Sequence, residues 1–155
     1  MKTDTRLSGV LHILLHMAGQ DRPATSEILA RAMTTNPVVV RRILAGLRER
    51  GLVRSEKGHG GGWSLARPLS EITLRDVHKA LGGPAVLAIG NRAEAPACLV
   101  EQAVNAALDD VFDQAEAVLL QGLGEVTLAA LSADFQARLT ARTRTGTLED
   151  AHVGH

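Results

Sequence analysis

The run NPVVVRRILAGLRERGLVRSEKGHGGGWSLAR, residues 36–67, decides the fold of this chain. Asn36 is a natural helix cap and Pro37 suits the first helical position, where its missing N–H costs nothing. Val39, Ile43, Leu44 and Leu47 then recur at helical spacing and predict an apolar stripe on a helix that ends near Arg50. Gly51 ends it, because glycine enters the left-handed conformation without a Cβ penalty. Leu52-Val53 opens a strand, Lys57 to Gly62 is a loop, and Trp63 to Ala66 reads as the returning strand. Helix, strand, glycine-rich tip and strand together predict the recognition helix and wing of a winged helix-turn-helix.

The residues in front complete that unit. Thr25 or Ser26 caps a short helix running to Ala32, and Thr34-Thr35 is the turn before the recognition helix. Residues 4–19 predict a first helix whose core face is Leu7, Val10, Leu11, Leu14, Leu15 and Ala18. His12 and His16 lie one turn apart on its other face. No third ligand is near them in sequence, which favours surface or interface histidines over a metal site. Behind the wing, Thr73 and Asp76 form a capping-box pattern. Leu74, Val77, Ala80 and Leu81 face inward, and Gly82-Gly83-Pro84 stops that helix.

Charge divides the chain in two. Residues 1–83 carry 13 Lys/Arg against 7 Asp/Glu, a net +6, while residues 84–155 carry 4 against 10, a net −6. A basic front and an acidic rear fit a DNA-binding head and a rear that phosphate repels. Arg41 and Arg42 lie in the first half of the recognition helix, the end that such proteins present to base edges. The DNA-contacting candidates are Thr25, Ser26, Asn36, Pro37, Val38, Arg41, Arg42, Arg48, Lys57, His59 and Gly60. The competing reading is a winged-helix protein-interaction module without specific DNA binding; the basic helix argues against it. No nucleophile–base pair and no metal set occurs, so an enzyme is not expected.

These same residues carry a family likeness. The run from Asn36 to Pro68, with its G-x-G-G-G-aromatic wing, followed by EITLRDVHKALGG, resembles the Rrf-two family of bacterial winged-helix repressors. The similarity covers residues 6 to about 120. It implies that Lys57 reaches the minor groove or phosphates and that the helix around Val38, Arg41 and Arg42 enters the major groove. It also implies sensing chemistry in and just after residues 84–97. The best-known members hold an iron–sulfur cluster on three cysteines there. Here Cys98 matches only the last of the three, so no cluster or other cofactor is expected.

The rear half reads less sharply. Val86 to Ile89 is a short strand or a buried connector, and Gly90 to Ala97 a loop. From Cys98 or Leu99 a long helix begins. Its residues Val100, Val104, Ala107, Val111, Ala115 and Val118 form a near-heptad seam, which predicts a two-fold dimer interface. A shorter helix from Thr127 to about Leu139 follows. The expected organisation is a DNA-binding head over 1–83, connector and dimerisation helices over 84–139, and a flexible tail over 140–155.

Composition agrees with a mainly helical fold bearing a small β-wing. Hydrophobic residues are 45 % and charged residues 22 %, and with only one Trp, two Phe and no Tyr the core must be aliphatic. No run of about 18 apolar residues exists, so no membrane partner is expected, and a single cysteine excludes an internal disulfide framework. The expectation is a cytoplasmic homodimeric repressor on a palindromic operator in double-stranded DNA. Its signal would be oxidation of Cys98 at a helix N-terminus or a small-molecule effector between head and long helix. The other reading of Cys98 is a small buried hydrophobe.

Overall fold

The computed structural model describes residues 4–86, 90, 91 and 97–150. Among the described residues six helices and one hairpin follow in order: α1 Arg6–Ala18, α2 Ser26–Ala32, α3 Pro37–Glu49, β1 Val53–Glu56, β2 Gly62–Leu65, α4 Leu74–Ala80, α5 Leu99–Glu125 and α6 Leu128–Asp150, with a 3-10 turn at Leu69–Glu71. The strands pair antiparallel, Val53 opposite Leu65 and Glu56 opposite Gly62. The structure is a winged helix-turn-helix with a long rear helix, mainly α with a small β-wing.

Local chemistry accounts for the boundaries. Thr25 Oγ1 accepts the Ile28 N–H at 3.3 Å, Asn36 Oδ1 accepts the Val38 N–H at 2.8 Å, and Thr73 and Asp76 close the full capping box at α4. The turn between α2 and α3 is a Schellman closure. Thr35 N–H donates to the Ala30 carbonyl at 2.9 Å and Thr34 N–H to the Arg31 carbonyl at 3.2 Å. That closure forces Thr34 to a φ of 53°, a left-handed conformation that a β-branched side chain resists.

The head's core is aliphatic: Val10, Ile13, Leu14, Leu29, Val40, Leu44, Leu47, Leu52, Ile72 and Val77 are buried. Three readings change here. In α1, Ile13 and Met17 are buried, whereas Leu15 and Ala18 are only half-covered. In α3 the stripe is Val40, Leu44 and Leu47, and Val39 is exposed. The helix enters one residue out of the expected phase because Val40 is the valine that the core accepts. Nor does Gly83 close the head: Leu128, at the start of α6, is fully buried in the same core. Its N–H donates to the Ile72 carbonyl at 2.8 Å, and Leu74 N–H donates to the Val126 carbonyl at 3.0 Å. The C-terminal end of α5 is thereby pinned to the entrance of α4.

The expected tail is also corrected. Helix α6 does not stop near Leu139 but continues to Asp150. Its start is anchored in the core by Leu128, although the four threonines and Gly146 in residues 140–147 are weak helix formers. Thr140 and Thr143 hydroxyls fold back onto the Gln136 and Leu139 carbonyls at 2.9 and 3.0 Å instead of competing with the ladder. Residues 87–89 of the expected connector, 92–96 of the expected loop and 151–155 of the expected tail lie outside the described residues.

Candidate nucleic-acid interface

The wing is shaped by what its glycines avoid. At Gly62, with a φ of 151°, a Cβ would meet the Ala24 carbonyl oxygen at 2.7 Å. That close approach lets Trp63 exchange both backbone hydrogen bonds with Ala24, at 2.8 and 2.9 Å. The Trp63 indole N–H then donates to Ser26 Oγ at 3.0 Å, and the Arg48 guanidinium lies 5.9 Å from the Trp63 ring centroid. Arg48 also donates to Ser55 Oγ at 3.4 Å. Trp63 therefore clamps the wing to the entrance of α2 and to the far half of α3.

This clamp engages two of the expected DNA contacts, Ser26 and Arg48, within the fold. Ser26 is 5 % exposed and its hydroxyl oxygen accepts the Trp63 indole N–H, so it links α2 to the wing. Arg48 braces the wing. Asn36 and Thr25 spend their side-chain oxygens on caps and contribute by placing the N-termini of α3 and α2, whose free N–H groups favour anions. Pro37 is half-buried at the first position of α3.

What faces outward is a smaller set. Val38, 54 % exposed, lies one turn from Arg42 on the outer face of α3. At the wing tip Lys57, His59 and Gly60 are all exposed. Arg41 is exposed too, but its Nη2 sits 2.5 Å from Glu27 Oε1 on α2. Glu27's own backbone N–H, and then Arg41, hold that carboxyl below the usual range. Arg42 is exposed and makes no ion pair among the described residues. The pairing of Glu27 with Arg41 and of Trp63 with Ser26 was not anticipated from the sequence. Glu27 has no local signal, whereas the lone tryptophan directly after three glycines was one.

Rearward, α5 contains no buried residue over its 27 residues. Val100 (71 %), Val104, Val111 and Val118 are exposed, as is Ala107, and only Ala115 of the expected seam is half-covered. Phe112, Ala115 and Leu123 lie at the edge half-covered by the rest of the chain. Cys98 is exposed at the cap position of α5. The backbone N–H groups of Glu101 and then Val100 hold its thiol below its ordinary value. Within the single chain Cys98 is not packed as a buried hydrophobe. Among the described residues no three His, Cys, Asp or Glu side chains come together as a metal site, and none of the helices is long and apolar enough to cross a membrane.

Comparison with known proteins matches this geometry. The chain is 30 % identical over 125 residues to YwnA of Bacillus subtilis, a proposed HTH-type transcriptional regulator, covering 81 % of this chain and 92 % of that protein. A crystal structure of a proposed DNA-binding protein superposes with a TM-score of 0.67 at 29 % identity, over 81 % of this chain and 97 % of that one. The fold also matches IscR of T. potens, with a TM-score of 0.64 at 20 % identity over 86 % and 88 % of the two chains. A family model described as an iron-dependent transcriptional regulator, Rrf2, covers residues 3–134. With an exposed basic recognition helix and a glycine-built wing in the same chain, the conclusion is direct: this protein belongs to the Rrf2 family and is a DNA-binding transcription regulator, not an enzyme.

Proposed function

We propose that the chain acts in the cytoplasm as a homodimeric repressor that binds a palindromic operator without an iron–sulfur cluster. The observation that carries this is the bare seam of α5. A helix of 27 residues with Val100, Val104, Val111 and Val118 all facing solvent is an apolar face that a second copy would cover. A two-fold axis on that seam presents two recognition helices, and two copies of one reading head call for an inverted repeat. Repression follows from the resemblance to a family of winged-helix repressors.

The iron of the family description does not fit the donors present. Cys98 is the only cysteine, and no three-ligand group exists among the described residues. Two chains would supply at most two thiolates where a two-iron cluster takes about four ligands. The exposed Cys98, with its thiol held below its ordinary value by the Glu101 and Val100 N–H groups, supports a different input, oxidation to a sulfenic acid or a mixed disulfide.

Selection of bound fragments from genomic DNA, with sedimentation of the protein alone, tests the core of this reading. The expected result is a dimer and an enriched inverted repeat whose transcription falls when protein is added. A monomer, or enrichment of single half-sites, refutes it. For the input, oxidised glutathione should change the affinity of the wild type and leave Cys98→Ser unaffected. Equal behaviour of the two would leave the small-molecule effector as the signal.

A further inference from the structure

We propose that a cavity between the C-terminal end of α3, the start of β1 and α4 binds a small oxyanion of the phosphate or sulfate type. The cavity measures about 150 Å³ and is lined by Arg50, Leu52, Arg67, Asp76 and Lys79. That is far more than the roughly 10–15 Å³ one water needs, yet below the ~300–1,000 Å³ typical of drug-sized ligands. A tetrahedral anion or a small phosphate monoester suits it; a nucleotide does not.

Charge and an unmet donor define the ligand. Three cationic side chains face one carboxylate, leaving a net positive site. Asp76 is already engaged: its Oδ2 accepts the Thr73 N–H at 3.0 Å in the capping box. Burial alone would raise the Asp76 carboxyl, but the Thr73 N–H and hydroxyl, followed by the charges of Arg67 and Lys79, outweigh it and hold it ionised. Neither cation closes to an ion pair with it. Arg67 Nε is buried and has no hydrogen-bond acceptor. A buried guanidinium N–H without an acceptor is costly, and an oxyanion oxygen beside it removes that cost.

The fold holds these groups in place. Ala66 N–H donates to the Leu52 carbonyl at 3.0 Å, which sets Arg67 beside Leu52, the buried apolar floor. Arg50 is the C-cap of α3 and Lys79 stands in the last turn of α4. The negative ends of both helix dipoles count against an anion here. Three cations and an orphan donor count for it and outnumber them. An anion bridging Arg50 and Lys79 would tie the end of the recognition helix to α4, which packs on α5.

The test uses the full chain and inorganic phosphate against chloride at matched ionic strength, without DNA, so it stands or falls separately from the operator reading. Wild type should show saturable phosphate binding by ³¹P line broadening and a raised melting temperature. Arg67→Gln and Lys79→Gln should each weaken it at least tenfold. If all three proteins respond alike, the effect is general salt exclusion and the proposal fails. Should Arg67→Gln not fold, an unchanged phosphate dissociation constant in Lys79→Gln is sufficient to reject it. Absence of saturable binding, a cavity holding only water, rejects it as well. The oxyanion could be a soluble ion or a DNA phosphate, and a random-sequence duplex distinguishes them. Displacement of bound phosphate by the duplex assigns the site to the DNA backbone, and retention assigns it to a soluble anion; in both the oxyanion site stands.

Discussion

Two arginines adjacent in sequence have unequal prospects at the DNA. Arg42 stands on the outer face of α3, whereas Arg41 must first leave Glu27. A bidentate arginine–guanine contact is worth about 1–3 kcal/mol of discrimination against the wrong base. Arg42→Ala should therefore flatten preference among operator variants by that amount, and Arg41→Ala should cost less. Titrations of matched and mismatched duplexes measure both, and equal losses would contradict the ranking. Thr34 carries a second residue-scale consequence. Its left-handed φ of 53° costs a β-branched residue about 1–2 kcal/mol, while glycine's freedom in the unfolded chain returns about 0.5–1 of that. Thr34→Gly should stabilise the protein by about 1 kcal/mol, seen as a higher urea midpoint at unchanged slope. A lower midpoint would mean that the hydroxyl or methyl of Thr34 contributes more than the strain costs.

At the scale of elements, α5 poses the sharpest question. Its outer face is apolar while Asp109, Asp110, Asp113 and Glu116 occupy other faces of the same helix. Val104→Glu and Val111→Glu place a carboxylate at the middle of the proposed seam, where burial without a partner is strongly unfavourable. Each variant should sediment as a monomer or aggregate, with helical content retained in the head. Well-folded dimers from both would move the interface elsewhere. The wing is an element of a different kind. It is held by one tryptophan reaching Ala24 and Ser26, and Gly61 and Gly62 are required where backbones meet.

For the whole molecule, the division of charge governs association. A head of net +6 and a rear of net −6 would orient the protein on DNA although the total is zero. Lys57 is exposed at the wing tip, where a cation would add affinity for any sequence. Lys57→Ala should weaken specific and nonspecific duplexes alike and lower the salt slope by about one per head. Loss of discrimination in that variant would make Lys57 a base reader. The same layout keeps Cys98 at the far end of α5 from the strand-like contact at Thr73, so its oxidation would have to act through the helix or the dimer seam.

Much of this was legible from residues close in the chain. Asn36-Pro37, Thr73 with Asp76 and the glycine run of the wing each specify local geometry through hydrogen bonds or sterics within four residues, so the winged helix-turn-helix could be read directly. The long rear helix was legible for the same reason, as a sustained apolar repeat. Three consecutive valines at 38–40 hold no periodic information; only packing decided that Val40 turns inward and Val38 and Val39 outward. The pairing of Arg41 with Glu27, 14 residues away, and the burial of Ser26 under Trp63, 37 residues away, depend on how α2, α3 and the wing cross. The start of helix α6 is likewise set by Leu128 in the head's core, a tertiary contact that no local signal announces.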